Sequence, residues 1–237
     1  MQTLVLIPGL LSDARVWQPV ADACSGEMDI YHADATRGTS ISALAETVLN
    51  ETQGSLIAVG HSMGGRIALD IAHIAPERIG GLVLANTGCH PLGEGEEQKR
   101  LAKINLGYES MEKLVDQWLP PMLDPSRHAD VKLMSNLREM VLQFDAQIHE
   151  RQIRSLIHRP NAEAYLSSIS CPVLLLAARH DTWSPITQHE RMAELLPEAQ
   201  LVIIERAGHF APVERPDTVT SAIIEWLCRS IKKTSQH

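Results

Sequence analysis

The chain has 237 residues, 44% of them hydrophobic, with 21 basic and 29 acidic side chains and a formal net charge of −8. That length suits one domain, or one domain with a modest insertion, and it buries a core without disulfides or a structural metal. The ordinary apolar and charged content excludes a disordered chain, a fibrous repeat and a coiled coil, and the acidic balance argues against nucleic acid and anionic membranes as partners.

The first predicted element is a strand at Leu4-Val5-Leu6-Ile7, closed by Pro8-Gly9. The start at Met1-Gln2-Thr3 lacks the basic residues of a secretion signal, and the apolar run after it is too short for one. A weaker strand is expected at Met28-Asp29-Ile30-Tyr31, followed by a helix with Ile41, Leu44, Ala45, Val48 and Leu49 on one face. Residues 55–60 are again strand-like, residues 64–75 read as a helix ended by Pro76, and residues 82–85 form a further strand. These strands are apolar on both faces, as a parallel sheet buried between helices requires.

From about His90 to Ser170 the strand pattern stops. Met111, Leu114, Val115, Trp118 and Leu119 recur at helical spacing, as do Leu137, Met140, Val141, Phe144 and Ile148, with Pro120-Pro121 and Asp124-Pro125 as breaks. Residues 91–170 therefore read as a helical insertion into a core built from residues 1–90 and 171–237. Strand character returns at residues 173–177 and 201–204, and a last helix carries Val219, Ala222, Ile223, Trp226 and Leu227 on one face. The polar tail from Lys232 is expected to fray. The alternation predicts a doubly wound α/β sheet. No apolar run approaches the roughly 18 residues that span a bilayer. Cys24, Cys89, Cys171 and Cys228 are scattered without metal-ligand spacing, which predicts small buried hydrophobes with free thiols in a reducing cytoplasm.

The sharpest chemical signal is Gly60-His61-Ser62-Met63-Gly64, a G-x-S-x-G match between a predicted strand and a predicted helix. Such a tight turn lifts the Ser62 hydroxyl above the carboxyl edge of the sheet, where open α/β sheets bind ligands. A serine hydroxyl is a weak nucleophile at neutral pH and needs a base, which in turn needs an orienting acid. The expected order is Ser, acid, His. Asp181 follows the strand at residues 173–177, whereas the strand at 82–85 ends in Asn86-Thr87 and offers no carboxylate. His209 stands in the loop after residues 201–204. His61 and His180 adjoin these residues but read as supporting groups, since adjacent strand side chains point to opposite faces. Two backbone donors are needed for an oxyanion. Met63 is expected to supply one and Leu10 the other, with Leu11 as the fallback.

On the Gly60-His61-Ser62-Met63-Gly64-Gly65 turn, the Asp181 loop with Pro185, and Gly208-His209, the chain resembles the α/β-hydrolase superfamily along nearly its whole length. The resemblance implies a helical cap over the active site at residues 91–170. Small esterases, enol-lactonases and carbon–carbon bond hydrolases look like this, and Gly64-Gly65-Arg66 is similar to the elbow of the menaquinone-pathway lyase. The chain departs from the family in carrying Pro8-Gly9 where His-Gly is usual, and in starting almost directly at the first core strand. An essentially all-parallel sheet of about six strands is therefore expected. Trp118 and Trp183 are candidate pocket walls, Leu11, Met63 and Phe210 are expected to face the pocket, and Arg151, Arg154 and Arg159 are candidates for an acidic substrate. The leading expectation is a serine esterase or lactonase acting on a small molecule, cytoplasmic, with no cofactor and no metal. A carbon–carbon bond hydrolase or lyase using the same triad for proton transfer, and a non-catalytic small-molecule receptor, are the alternatives.

Overall fold

The structure, a computed structural model, describes residues 2–234, with side chains through residue 230. Six strands form one parallel sheet: β1 (Thr3–Ile7), β2 (Asp29–His32), β3 (Leu56–His61), β4 (Ile79–Ala85), β5 (Val173–Ala178) and β6 (Ala199–Ile204), in the order β2-β1-β3-β4-β5-β6. This is the all-parallel sheet expected from the sequence. Ten helices run in chain order among the described residues. They are α1 (Gln18–Cys24), α2 (Ile41–Glu51), α3 (Met63–Ile74), α4 (Glu96–Glu109), α5 (Met111–Trp118), α6 (Val131–Leu142), α7 (Ala146–Ile157), α8 (Ile186–Leu195), α9 (Ala211–Glu214) and α10 (Pro216–Thr234).

Why the sheet forms is visible in its strands. Every residue of β3 and of β5 is buried, so both faces are covered. Successive residues of β1 feed opposite cores. Leu4 and Leu6 pack with Trp17, α1 and α10, whereas Val5 and Ile7 pack with α2 and α3. The edge strands β2 and β6 are only partly buried, which explains the weak apolar signal of β2. Sheet order reverses between β1 and β3, and at such a switch point the carboxyl ends of neighbouring strands open a crevice.

The segment between β4 and β5 holds only helices and short 3-10 turns. Side-chain caps start three of its helices: Ser110 accepts from the Lys113 amide, Asp130 from Leu133 and Asp145 from Ile148. Leu114, Val115 and Trp118 of α5 and Leu137, Met140 and Val141 of α6 join the same buried cluster as Leu4 and Leu6, so these helices share the core of the sheet face.

Several elements differ from expectation in detail. Strand β4 begins at Ile79, because Gly80-Gly81 hides its apolar start, and α3 begins at Met63, directly after the serine. Helices α1 and α8 were not anticipated. Seven residues are too few to show a helical period, and α8 buries only His189 and Met192. Helix α10 continues through Lys232 to Thr234, and the rest of the tail lies outside the described residues. All four thiols are free, but Cys228 is exposed and Cys171 half-buried, unlike the buried hydrophobes expected.

Candidate active site

Ser62 ends β3 and opens α3. Its backbone sits at φ 54, ψ −114, a conformation that costs about 1–3 kcal/mol for a residue with a side chain. Two bonds hold it there. The Ser62 amide donates to the Ala85 carbonyl at 2.9 Å, continuing the β3–β4 ladder, and the Thr87 hydroxyl donates to the Ser62 carbonyl at 2.6 Å. The turn closes only on glycine: a Cβ on Gly60 would lie 2.3 Å from the Gly64 carbonyl oxygen, and one on Gly64 would lie 2.2 Å from that of Ile7. A serine at a helix start ordinarily caps it, yet Ser62 makes no cap bond. Its hydroxyl donates instead to His209 Nε2 at 2.8 Å.

The next link is equally direct. His209 Nδ1–H donates to Asp181 Oδ2 at 2.9 Å. Asp181 follows β5, and its carboxylate is wholly buried. Four donors satisfy it: His209 and the Asn86 side-chain amide at 2.9 Å on one oxygen, the Trp183 and Ser184 amides at 2.8 and 2.9 Å on the other. Burial opposes the charge, but the His209 ring, the Ser184 amide and the Asn86 amide outweigh it and hold the carboxyl well below the usual range. The structure thus brings Ser62, His209 and Asp181 into one hydrogen-bonded chain.

The His209 loop is fixed from both sides. The His209 amide donates to the Met122 carbonyl at 2.6 Å, and the Gly208 amide donates to Glu214 Oε1 at 2.9 Å. His61 is fully enclosed. Burial, and then His209, lower its pKa to about 3, so the ring is neutral and its Nε2–H donates to the His209 carbonyl at 2.7 Å. His180 pairs with Asp124 and does not line the cavity. His61, which also lines the cavity, thus holds the His209 backbone, and His180 is engaged with Asp124 outside the lining.

A cavity of about 520 Å³ opens over Ser62. Leu10, Met63, Trp118, Trp183 and Phe210 all line it. Trp118 is buried and meets Phe210 edge to face at 6.2 Å, whereas Trp183 is 43% exposed at the outer side. Leu11 corrects the expectation that it faces the pocket. Its φ of 49 turns the side chain away into the core beside Trp17, and it is wholly buried there. Its amide is also occupied, donating to Gln152 Oε1 at 2.9 Å. Among the described residues no protein acceptor takes the Leu10 amide, and the Met63 amide belongs to the first turn of α3, where N–H groups have no intrahelical acceptor.

The three insertion arginines do not form the acid-binding group considered from sequence. Arg151 donates to the Thr36 carbonyl, Arg154 pairs with Glu150, and Arg159 is buried against Glu96. Residues that sequence reasoning passed over do contribute. Asn86 braces Asp181, Gln152 holds the loop after β1, and Arg66 lines the cavity. Asn86 carried a signal in its position at the end of β4. Arg66 stood out only through the Gly64-Gly65-Arg66 match, which gave it no role, and Gln152 carried no signal beyond helix membership. Among the described residues no three His, Cys, Asp or Glu side chains gather to hold a metal ion, and no helix is long and apolar enough to cross a membrane.

Comparison with known proteins places this geometry in context. The model of the alpha/beta hydrolase family matches residues 4–222. A putative carbamate hydrolase, RutD, of Agrobacterium fabrum is 27% identical over 95% of this chain and 92% of its own length. The pimeloyl-[acyl-carrier protein] methyl ester esterase of Nitrosomonas europaea is 26% identical over 92% of each chain. Among solved structures, a thermophilic esterase from Thermogutta terrifontis superposes with a TM-score of 0.89 at 26% identity, covering 97% of this chain and 90% of that one.

Proposed function

We propose that this chain, which belongs to the alpha/beta hydrolase family, is a serine hydrolase that cleaves a small carboxylic ester or lactone through an acyl-enzyme on Ser62. The observation that carries the reading is the chain of bonds from Ser62 through His209 to Asp181, at 2.8 and 2.9 Å, at a cavity lined by apolar side chains. In the first half-reaction His209 Nε2 takes the hydroxyl proton as Ser62 Oγ attacks the carbonyl carbon. Asp181 fixes the ring tautomer and stabilises the imidazolium. The Leu10 and Met63 amides take the charge that develops on the carbonyl oxygen. Collapse expels the alcohol, which receives the proton from His209. Water then repeats the sequence on the acyl-enzyme, with His209 as base, and releases the acid and Ser62. Met63, Trp118, Trp183 and Phe210 form the substrate walls, and residues 91–170 form the cap over them. None of these steps calls on a metal or a cofactor.

The test is a panel of short-chain esters, a lactone, a thioester and a carbamate, run on the protein and on Ser62→Ala. Ester or lactone turnover that falls by about four to six powers of ten in the variant supports the reading. Turnover unchanged in Ser62→Ala overturns it. No ester or lactone turnover, with Ser62-dependent cleavage of a diketone, would replace it by the carbon–carbon bond reading. Small-molecule binding without turnover of any kind would replace it by a receptor.

A further inference from the structure

Three cations on the cavity wall lack an acidic partner, and we propose that they form a subsite for a carboxylate carried by the substrate. The preferred ester or lactone is then itself an acid. This rests on the hydrolase reading above and names the substrate class for the same site.

The protein as a whole is acidic, with a formal net charge of −8. Its cavity is not. Arg66, Lys99, Arg100 and Lys103 line it against a single lining carboxylate, Glu96. That carboxylate is already shared. Arg159 Nη2 donates to one oxygen and Arg100 Nε to the other, both at 2.7 Å. Burial raises the pKa of Glu96, yet Arg159, the Gly93 amide and Arg100 bring it down to about 2, so no spare negative charge remains.

Of the two arginines that line the cavity, Arg66 is the one left without an ion pair among the described residues. It donates to the His90 carbonyl at 2.9 Å, and among the described residues no carboxylate lies within ion-pair distance. Burial, Arg159 and Arg100 all act against its charge. Glu96 offsets this only in part, and a partly buried cation with no carboxylate paired to it gains from an arriving anion. The His90 imidazole reports the same positive field, lowered to about 4 by burial, Arg66 and Arg159. Lys99 and Lys103 stand four residues apart on α4, neighbours on one helix face, where like charges repel. Neither has an acidic partner among the described residues.

Position ties this subsite to the reacting group. Arg66 lies one turn of α3 after Ser62, about 6 Å along the helix axis. Its planar fork suits two parallel bonds to a carboxylate, whereas the lysines act as point charges near the same wall. Leu114, Ile153 and Leu156 also line the cavity. That composition fits an acid group joined to the scissile carbonyl by a short methylene chain.

The experiment compares kcat/KM for methyl hydrogen glutarate and for methyl valerate, its neutral counterpart. The expected preference for the half-ester is about tenfold or more at low salt, the scale of one charge-assisted bond, and it declines as salt rises. Arg66→Met should bring the ratio close to one, and Arg66→Lys should retain part of it. Lys99→Gln with Lys103→Gln, neither of them a fully buried residue, should lower the ratio by a smaller factor. Equal kcat/KM for the two esters, or an unchanged ratio in Arg66→Met, overturns the subsite. If neither ester is turned over, the hydrolase reading fails on its own, and the subsite is still read by calorimetric titration of glutarate into Ser62→Ala. There, binding at least about tenfold weaker with Arg66→Met added supports it, and equal affinity overturns it.

Discussion

The amide of Leu11 donates to Oε1 of Gln152 at 2.9 Å, joining the loop after β1 to a helix 141 positions further along the chain. The other end of the same side chain donates to the Ala35 carbonyl at 3.1 Å. One nearly inaccessible glutamine on α7 therefore ties down the loops that follow both β1 and β2. With Leu11 occupied, the neighbouring Leu10, which lines the cavity, keeps an amide that no protein acceptor takes among the described residues.

Gln152→Leu keeps the volume and removes both bonds. Each buried group left unpaired costs about 1–3 kcal/mol. The variant should unfold at clearly lower denaturant, and its kcat should fall more than its KM rises, because the loop holding Leu10 is no longer fixed. Denaturant curves and steady-state kinetics check the pair of effects. A loss of stability with unchanged kcat would show that Gln152 supports the fold alone.

Much of this was readable from the chain. The sheet followed from apolar runs such as 173–178, whose burial on both faces leaves little choice of environment. The Ser62, Asp181 and His209 positions followed from where strands end, since each stands just beyond a strand. What was hidden depended on backbone twist or distant contacts. Leu10 and Leu11 are chemically identical, and only the positive φ of Leu11 decides which one meets the cavity. Arg66 and Arg159 look alike in sequence, yet the one nearer Glu96 is neutralised and the other is not. Helix periodicity locates such side chains on a face but says nothing of which partner crosses from another element.

Asp181→Asn replaces an acceptor of the His209 Nδ1 proton with a group able to present a donor. The amide still accepts from Trp183 and Ser184, so the loop stays in place. The ring then favours the wrong tautomer, and kcat should drop by about four powers of ten with little change in KM. Near-normal kcat would remove Asp181 from the reaction.

Glu96 gives a pH dependence of stability. Its folded pKa, about 2, lies below the value of about 4.3 expected in the unfolded chain. A depressed carboxyl stabilises the fold above the unfolded value, and that contribution fades as pH falls toward 2. Thermal midpoints of the protein and of Glu96→Gln should differ most at pH 6 and converge between about pH 4.5 and 2. A gap that stays constant across that window would contradict the ion-pair role of Glu96.

The most direct measurement is covalent labelling of the folded protein with a fluorophosphonate, read by intact mass and peptide mapping. Ser62 Oγ should displace fluoride from phosphorus once per chain, with His209 taking the proton, and His209→Ala should slow the labelling by at least about a hundredfold. A folded protein that stays unmodified, or one labelled elsewhere with Ser62 untouched, would contradict Ser62 as the nucleophile.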